Sequence, residues 1–173
     1  HLVAQEGGLS GAYIPMAEER ANLILKENYG ISATLKRFET EKDDTFRVET
    51  AMGQKYVLKV ANPEESLEEI DFQHSILSYV KSREPTVPIP HAINCAAGPD
   101  IFHITDIDGS LRYVRMLSYL DGVPLDKTHS NPHERFQIGK VLARLRHATE
   151  GFSHIAENRY CAWDVQHLLT LEH

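Results

Sequence analysis

Cysteine is scarce in this chain: two in 173 residues, Cys95 and Cys161, far apart and in no C-x-x-C arrangement. That excludes a disulfide-built scaffold. The pair reads as reduced thiols of a cytoplasmic protein, with one disulfide left open. No apolar run approaches the roughly 18 residues that a membrane-spanning helix needs, and no secretory leader is visible at the start. Lys and Arg number 18 against 25 Asp and Glu, for a net charge of -7, and they form no basic block. A nucleic-acid partner is therefore not expected, nor is a membrane. The ten histidines are scattered and none belongs to H-E-x-x-H. His129 and His133 would share a helical face only if a helix ran through Pro132, which proline disfavours. What is present is ordinary for a globular protein, 42% hydrophobic and 25% charged, in a length that fits one domain or a large part of one. The ending Leu171-Glu172-His173 resembles the start of an affinity tag, and the parent protein is expected to run on past it.

The hydrophobic period changes along the chain. Residues 1–15 have no clear period and read as a loose arm. Residues 16–29 carry Ala17, Ala21, Ile24 and Leu25 at helical spacing, with Gly30 as the C-terminal cap. Residues 31–38, 45–51 and 54–61 read as three strands joined by a polar turn and by Met52-Gly53, an antiparallel meander. Asn62-Pro63 is read as the start of a helix running to about residue 82, with Asn62 as its N-cap. Pro85, Pro88 and Pro90 prevent regular structure before a strand at 91–97. Residues 101–106 and 111–120 form a hairpin around Asp108-Gly109. Asn131 and Pro132 open a further helix striped by Ile138, Val141, Leu142, Leu145 and Ala148, and Trp163 to Leu171 reads as one more helical segment. The order is that of an α+β fold with an antiparallel sheet of about five strands.

Within the third strand, Gln54 to Ala61, one lysine interrupts an apolar run: Tyr56-Val57-Leu58-Lys59-Val60. A buried ammonium is costly unless an anion meets it. At about 100° per residue, Ile70, Gln73, Ile76, Leu77 and Val80 share one side of the following helix. Glu69 falls inside that arc and Glu68 outside it, so Glu69 is the candidate partner of Lys59. A unit charge pair at about 4 Å contributes roughly 4 kcal/mol at an effective dielectric near 20, enough to offset much of the burial cost. On spacing alone the alternative stays open, that Lys59 reaches around the sheet edge to water and Glu69 is a rim residue.

The order of several short motifs resembles the N-terminal part of the aminoglycoside phosphotransferase and choline-kinase-like small-molecule kinases. The hydroxylysine-kinase-like branch is nearest, some of whose members are fused to a class III aminotransferase. Tyr56 to Val60 is similar to the strand bearing the lysine that contacts ATP phosphates. Glu41 to Val48 is similar to the phosphate-covering turn, here acidic rather than glycine-rich. Val87-Pro88-Ile89-Pro90, the hinge strand Val114 to Gly122, the helix segment Ile138 to His147 and Tyr160 to Asp164 follow in the family's order. The match covers residues 17 to 170.

The resemblance implies a protein-kinase-like small lobe over residues 16–120, and the hinge exit with the first large-lobe helices over residues 121–173. It implies that Lys59 contacts the α- and β-phosphates of ATP, and that Glu69 or Gln73 is its helix partner. It implies that the turn from Asp43 through Asp44 and Thr45 to Phe46 lies over the phosphates, and that Val48 and Val57 sandwich the adenine. Leu117, Ser118 and Tyr119, with Met116 before them, form the hinge that binds the adenine edge. Val48, Val57, Met116 and Tyr119 are also what packing in any such sheet requires. The family's H-x-D-x-x-x-x-N segment and later metal-binding Asp are absent, so catalytic residues and the ligands of Mg are not expected among these 173 residues. The expected function is the ATP-binding portion of a small-molecule phosphotransferase, inactive alone. The alternative is a non-catalytic kinase-like regulatory module of a larger protein. The acceptor is not legible, and self-association through apolar large-lobe surface at Val141, Leu145, Trp163 and Leu168 or Leu169 is expected.

Overall fold

A computed structural model describes residues 13–40, 42–96, 98–129 and 131–158. Most of the 1–15 arm, and all of Cys161, Trp163, Asp164 and the last apolar segment, lie outside the described residues. Helix α1 spans Glu18–Tyr29, with Glu18 and Glu19 in its positive first turn and Gly30 closing it at a φ of 66°. Strands β1 (Ala33–Arg37), β2 (Asp44–Thr50), β3 (Lys55–Val60), β4 (Phe102–Thr105) and β5 (Leu111–Ser118) follow, with α2 (Leu67–Arg83) between β3 and β4. A short 3₁₀ turn at Leu125–Lys127 precedes α3 (Pro132–Thr149). The strands form one antiparallel sheet in the order β1-β2-β3-β5-β4.

Alternation along the strands gives this sheet two different faces. One face is apolar: Phe46 and Val48 of β2, Leu58 and Val60 of β3, and Val114 and Met116 of β5 pack with Ile24 and Leu25 of α1 into the main core. Within that core sits a charged knot. The Arg112 guanidinium, with no exposed side-chain surface, bonds Asp44 at 2.8 Å and Asp106 at 2.9 Å. It also donates to the backbone oxygens of Ala61 and Val60, and the Tyr13 ring lies 4.7 Å from it. Arg37 and the Met16 N–H also reach Asp44, which ties the start of the described chain to the sheet. The other face carries the odd-numbered residues of the three central strands, and α2 comes to it.

Two boundaries differ from the sequence reading. Helix α2 begins at Leu67, not at Pro63, because Ser66 and Glu69 close a reciprocal capping box. Asn62 instead accepts the Glu64 N–H at 2.9 Å, turning the chain before the helix. The expected strand at 91–97 shrinks to one bridge, Ala92 opposite Leu117, flanked by the Ser118 N–H on His91 O and the Ile93 N–H on Met116 O. The Asp108-Gly109 hairpin forms as expected, with Gly109 at a φ of 83° that a side chain would resist. Helix α3 leans on α2 through Arg144 with Glu84 at 2.8 Å and the Tyr79 hydroxyl on Glu150 O at 2.9 Å. Its Phe136 and Leu142 remain 64% and 59% exposed.

Candidate functional site

Lys59 lies on the second face of the sheet. The register sets Thr45, Lys59 and Arg115 in one row across β2, β3 and β5, and Arg47, Val57 and Leu117 in the next. The Lys59 Nζ lies 2.9 Å from Asp43 Oδ2, with the lysine side chain 26% exposed and that of Asp43 8%. Asp43 ends the turn between β1 and β2, and its other oxygen accepts the Asn62 N–H at 3.4 Å. Beside it, Lys42 reaches Glu65 at 2.6 Å, and Glu65 is almost wholly enclosed. Arg115, only 5% exposed, donates through Nη2 to Gln73 Oε1 of α2 at 2.6 Å. Burial pushes the Arg115 guanidinium down from its ordinary range, and the nearby charges of Asp43 and Glu65 pull it back.

Four buried polar atoms of this group have no hydrogen-bond partner: Thr45 Oγ1, Asn62 Nδ2, Glu65 Oε2 and Arg115 Nη1. Leaving a buried polar group unmet costs roughly 1–3 kcal/mol, and more when it is charged. They are four of the seven such atoms among the described residues, and they gather around one lysine that is only 26% exposed. The cationic donors suit an anion with several oxygens. Among the described residues no three His, Cys, Asp or Glu groups converge on one point. Among the same residues no helix is long and apolar enough to cross a membrane.

The family described as "Phosphotransferase enzyme family" matches residues 34–170. The chain belongs to this phosphotransferase family. Among curated proteins it is similar to the hydroxylysine kinase of Mus musculus, 26% identical over 174 residues, covering 90% of this chain and 45% of that protein. It is also similar to the Xenopus laevis hydroxylysine kinase, 27% identical over 158 residues, covering 84% and 41%. The chain thus spans less than half the length of these relatives. Among solved structures, a microcompartment-associated aminopropanol kinase superposes with a TM-score of 0.66 at 19% identity, over 88% of this chain and 46% of that one. An amicoumacin kinase, solved with AMP-PNP, Ca2+ and Ami, gives 0.62 at 16% identity, over 80% and 44%. The fold is that of small-molecule kinases.

Set against this phosphotransferase fold, the expected site residues divide by face. Lys59, Val57, Thr45, Leu117 and Tyr119 lie on the second face, and the Tyr119 ring lies 5.4 Å from Arg47 and 5.7 Å from Lys55. Val48 and Phe46 do not join them. Both are fully buried in the α1 core, because Arg47, not Val48, is the cross-strand neighbour of Val57. One position along a strand reverses the face, so Val48 and Val57 cannot clasp one ring. Met116 is buried on the core face for the same reason. Asp44 lies within β2, and its carboxylate is spent on Arg112 and Arg37 in the core rather than over a phosphate. The Ser118 hydroxyl accepts the His91 N–H at 3.0 Å. Glu69 is not brought to Lys59. It sits in the first turn of α2, where its carboxylate folds back onto the Ser66 N–H at 3.3 Å. Gln73, the rival helix partner, meets Arg115 instead.

The pairing of Asp43 with Lys59 escaped the sequence reading, which set Asp43 in the turn over the phosphates, and Arg115 and Glu65 escaped it altogether. A signal for Arg115 was present: Val114-Arg115-Met116-Leu117 sets a charge inside an apolar strand just as Lys59 does. Asp43 was only one of several acidic residues in a turn, and nothing local singled it out.

Proposed function

We propose that this chain is the nucleotide-binding half of a small-molecule kinase that phosphorylates a hydroxyl group with ATP. The observation that carries the reading is Lys59, an ammonium only 26% exposed on the second face of the sheet, in a chain of the phosphotransferase family. Lys59 would contact the nucleotide's phosphates, with the turn that ends at Asp43 beside them. Val57 and Leu117, neighbours across β3 and β5, offer the apolar surface for the adenine. The Ser118 N–H is already held by His91 O and Leu117 is paired with Val57 of β3, so the adenine edge would meet backbone at Tyr119. ATP supplies the phosphoryl group. Magnesium would be held by residues other than the described ones, as would the group that accepts the hydroxyl proton. These 173 residues alone are therefore expected to bind but not to transfer, within a cytoplasmic parent. Relatives named for hydroxylysine and aminopropanol support an acceptor that carries both an amine and a hydroxyl.

The test is Lys59→Ala in the full-length parent, with ATP affinity read by calorimetry and turnover on an amino alcohol by ADP release. Loss of one charge-assisted phosphate contact, worth about 1.5–3 kcal/mol, lowers affinity or rate at least about tenfold. Wild-type affinity and rate in Lys59→Ala would remove the lysine from the chemistry. A parent that binds ATP but transfers nothing would favour the regulatory reading.

A further inference from the structure

A strand lysine that serves a phosphate has to be held in one place, and the resemblance drew the holding carboxylate from α2. Neither α2 candidate does this here. Glu69 is committed to the capping box and Gln73 is neutral and committed to Arg115. The carboxylate at Lys59 belongs to Asp43, at 2.9 Å, only 8% exposed and also accepting the Asn62 N–H. We propose that Asp43 is the positioning residue of Lys59, and that Arg115 has taken over the contact from sheet to helix. This rests on the reading of Lys59 as the phosphate lysine.

The geometry divides one task in two. An ammonium has three N–H donors. Asp43 takes one and fixes the direction of the side chain, leaving the exposed part of Lys59 for a phosphate oxygen. Arg115, directly across the strand pair from Lys59, grips Gln73 and ties α2 to the same row of the sheet. A consequence is that the acidic turn is useful where its charge would otherwise repel phosphate. Paired with Lys59, the Asp43 charge is neutralised locally, and Lys42 is likewise answered by Glu65. The turn, the lysine and the entry to α2 form one connected group, so an ordered turn and an oriented lysine come together.

The experiment uses the full-length parent with Lys59→Ala, Asp43→Asn, Asp43→Glu, Gln73→Glu and the double variant Asp43→Asn/Gln73→Glu. Rates are measured well below each variant's melting temperature. Misplacing a reacting contact costs up to about 100-fold, so Asp43→Asn is expected to lose about 10- to 100-fold in kcat while the acceptor KM holds. Asp43→Glu keeps the charge and should recover most of the rate. Gln73→Glu keeps an acceptor for Arg115 and has a second oxygen to offer Lys59. The double variant should therefore regain at least about tenfold over Asp43→Asn. A general loss of packing would not be repaired by a charge on another element. An Asp43→Asn enzyme within about twofold of wild type, beside an inactive Lys59→Ala, overturns the assignment alone, as does a double variant no faster than Asp43→Asn. If Lys59→Ala itself is fully active, the nucleotide reading falls first.

Discussion

Arg112 carries a full charge on a side chain with no exposed surface. Such a group survives because it donates to four acceptors, two carboxylates and two backbone oxygens. Breaking a buried pair by removing one partner typically costs about 3–5 kcal/mol, since the stranded charge stays behind. Arg112→Met should therefore lower the unfolding free energy by about that much, read as a fall in denaturant midpoint without a change in slope. Asp106 is stranded more completely than Asp44, which keeps Arg37 and the Met16 N–H. An Arg112→Met/Asp106→Leu double variant should accordingly recover part of the loss. Equal midpoints for the single and double variants would contradict this account. The same residue-scale logic explains what was legible beforehand. Lys59 announced itself because a charge in an apolar strand demands a partner. Its partner could not be named, because Asp43 and Lys59 meet only once β2 has paired with β3 in a particular register.

At the scale of elements, α2 shows how a boundary error becomes a site error. Asn62-Pro63-Glu64 offers an acceptable helix start, and so does Ser66-Leu67-Glu68-Glu69. The second wins because Ser66 accepts the Glu69 N–H while Glu69 accepts the Ser66 N–H, satisfying two orphan donors at once. Had the helix begun at Pro63, Glu69 would have stood in its second turn, free to face the sheet. Beginning at Leu67, it stands in the first and is consumed as a cap. Ser66→Ala should therefore destabilise the protein by about 1 kcal/mol. Glu69→Gln should weaken the same cap yet leave ATP affinity within about twofold of wild type. A Glu69→Gln protein that stays folded but loses nucleotide would restore the helix glutamate to the site. The five strands of the sheet were legible from the period of two, because each buries one face, whereas the strand expected at 91–97 forms only the bridge of Ala92 with Leu117. Which face a given residue takes was not. Val48 and Val57 are equally apolar, and only the pairing of Arg47 with Val57 separates them.

At the scale of the whole molecule, α3 is attached to the rest chiefly along α2, and the attachment is partly polar. Rings of Phe72, Tyr79 and Phe152 meet at 5.8 and 5.2 Å, while Arg144 bridges to both Glu84 and Thr86. Relatives more than twice as long fit a helix that keeps Phe136 and Leu142 open to solvent. The Thr86 hydroxyl, then the Arg144 guanidinium, hold the Glu84 carboxyl below its ordinary value of 4.5. A carboxyl depressed in the folded state contributes stability that is fully present above its unfolded value and disappears as pH falls through the folded one. Melting temperatures of wild type and Glu84→Gln should therefore differ by a constant amount from neutral pH down to about 5, and converge below the ordinary value of 4.5. Glu84 is partly exposed, so added salt should shrink the neutral-pH difference as well. A difference that persisted unchanged into acid would mean that the junction is held by its aromatic rings, with the Glu84 charge adding nothing to the docking of α3.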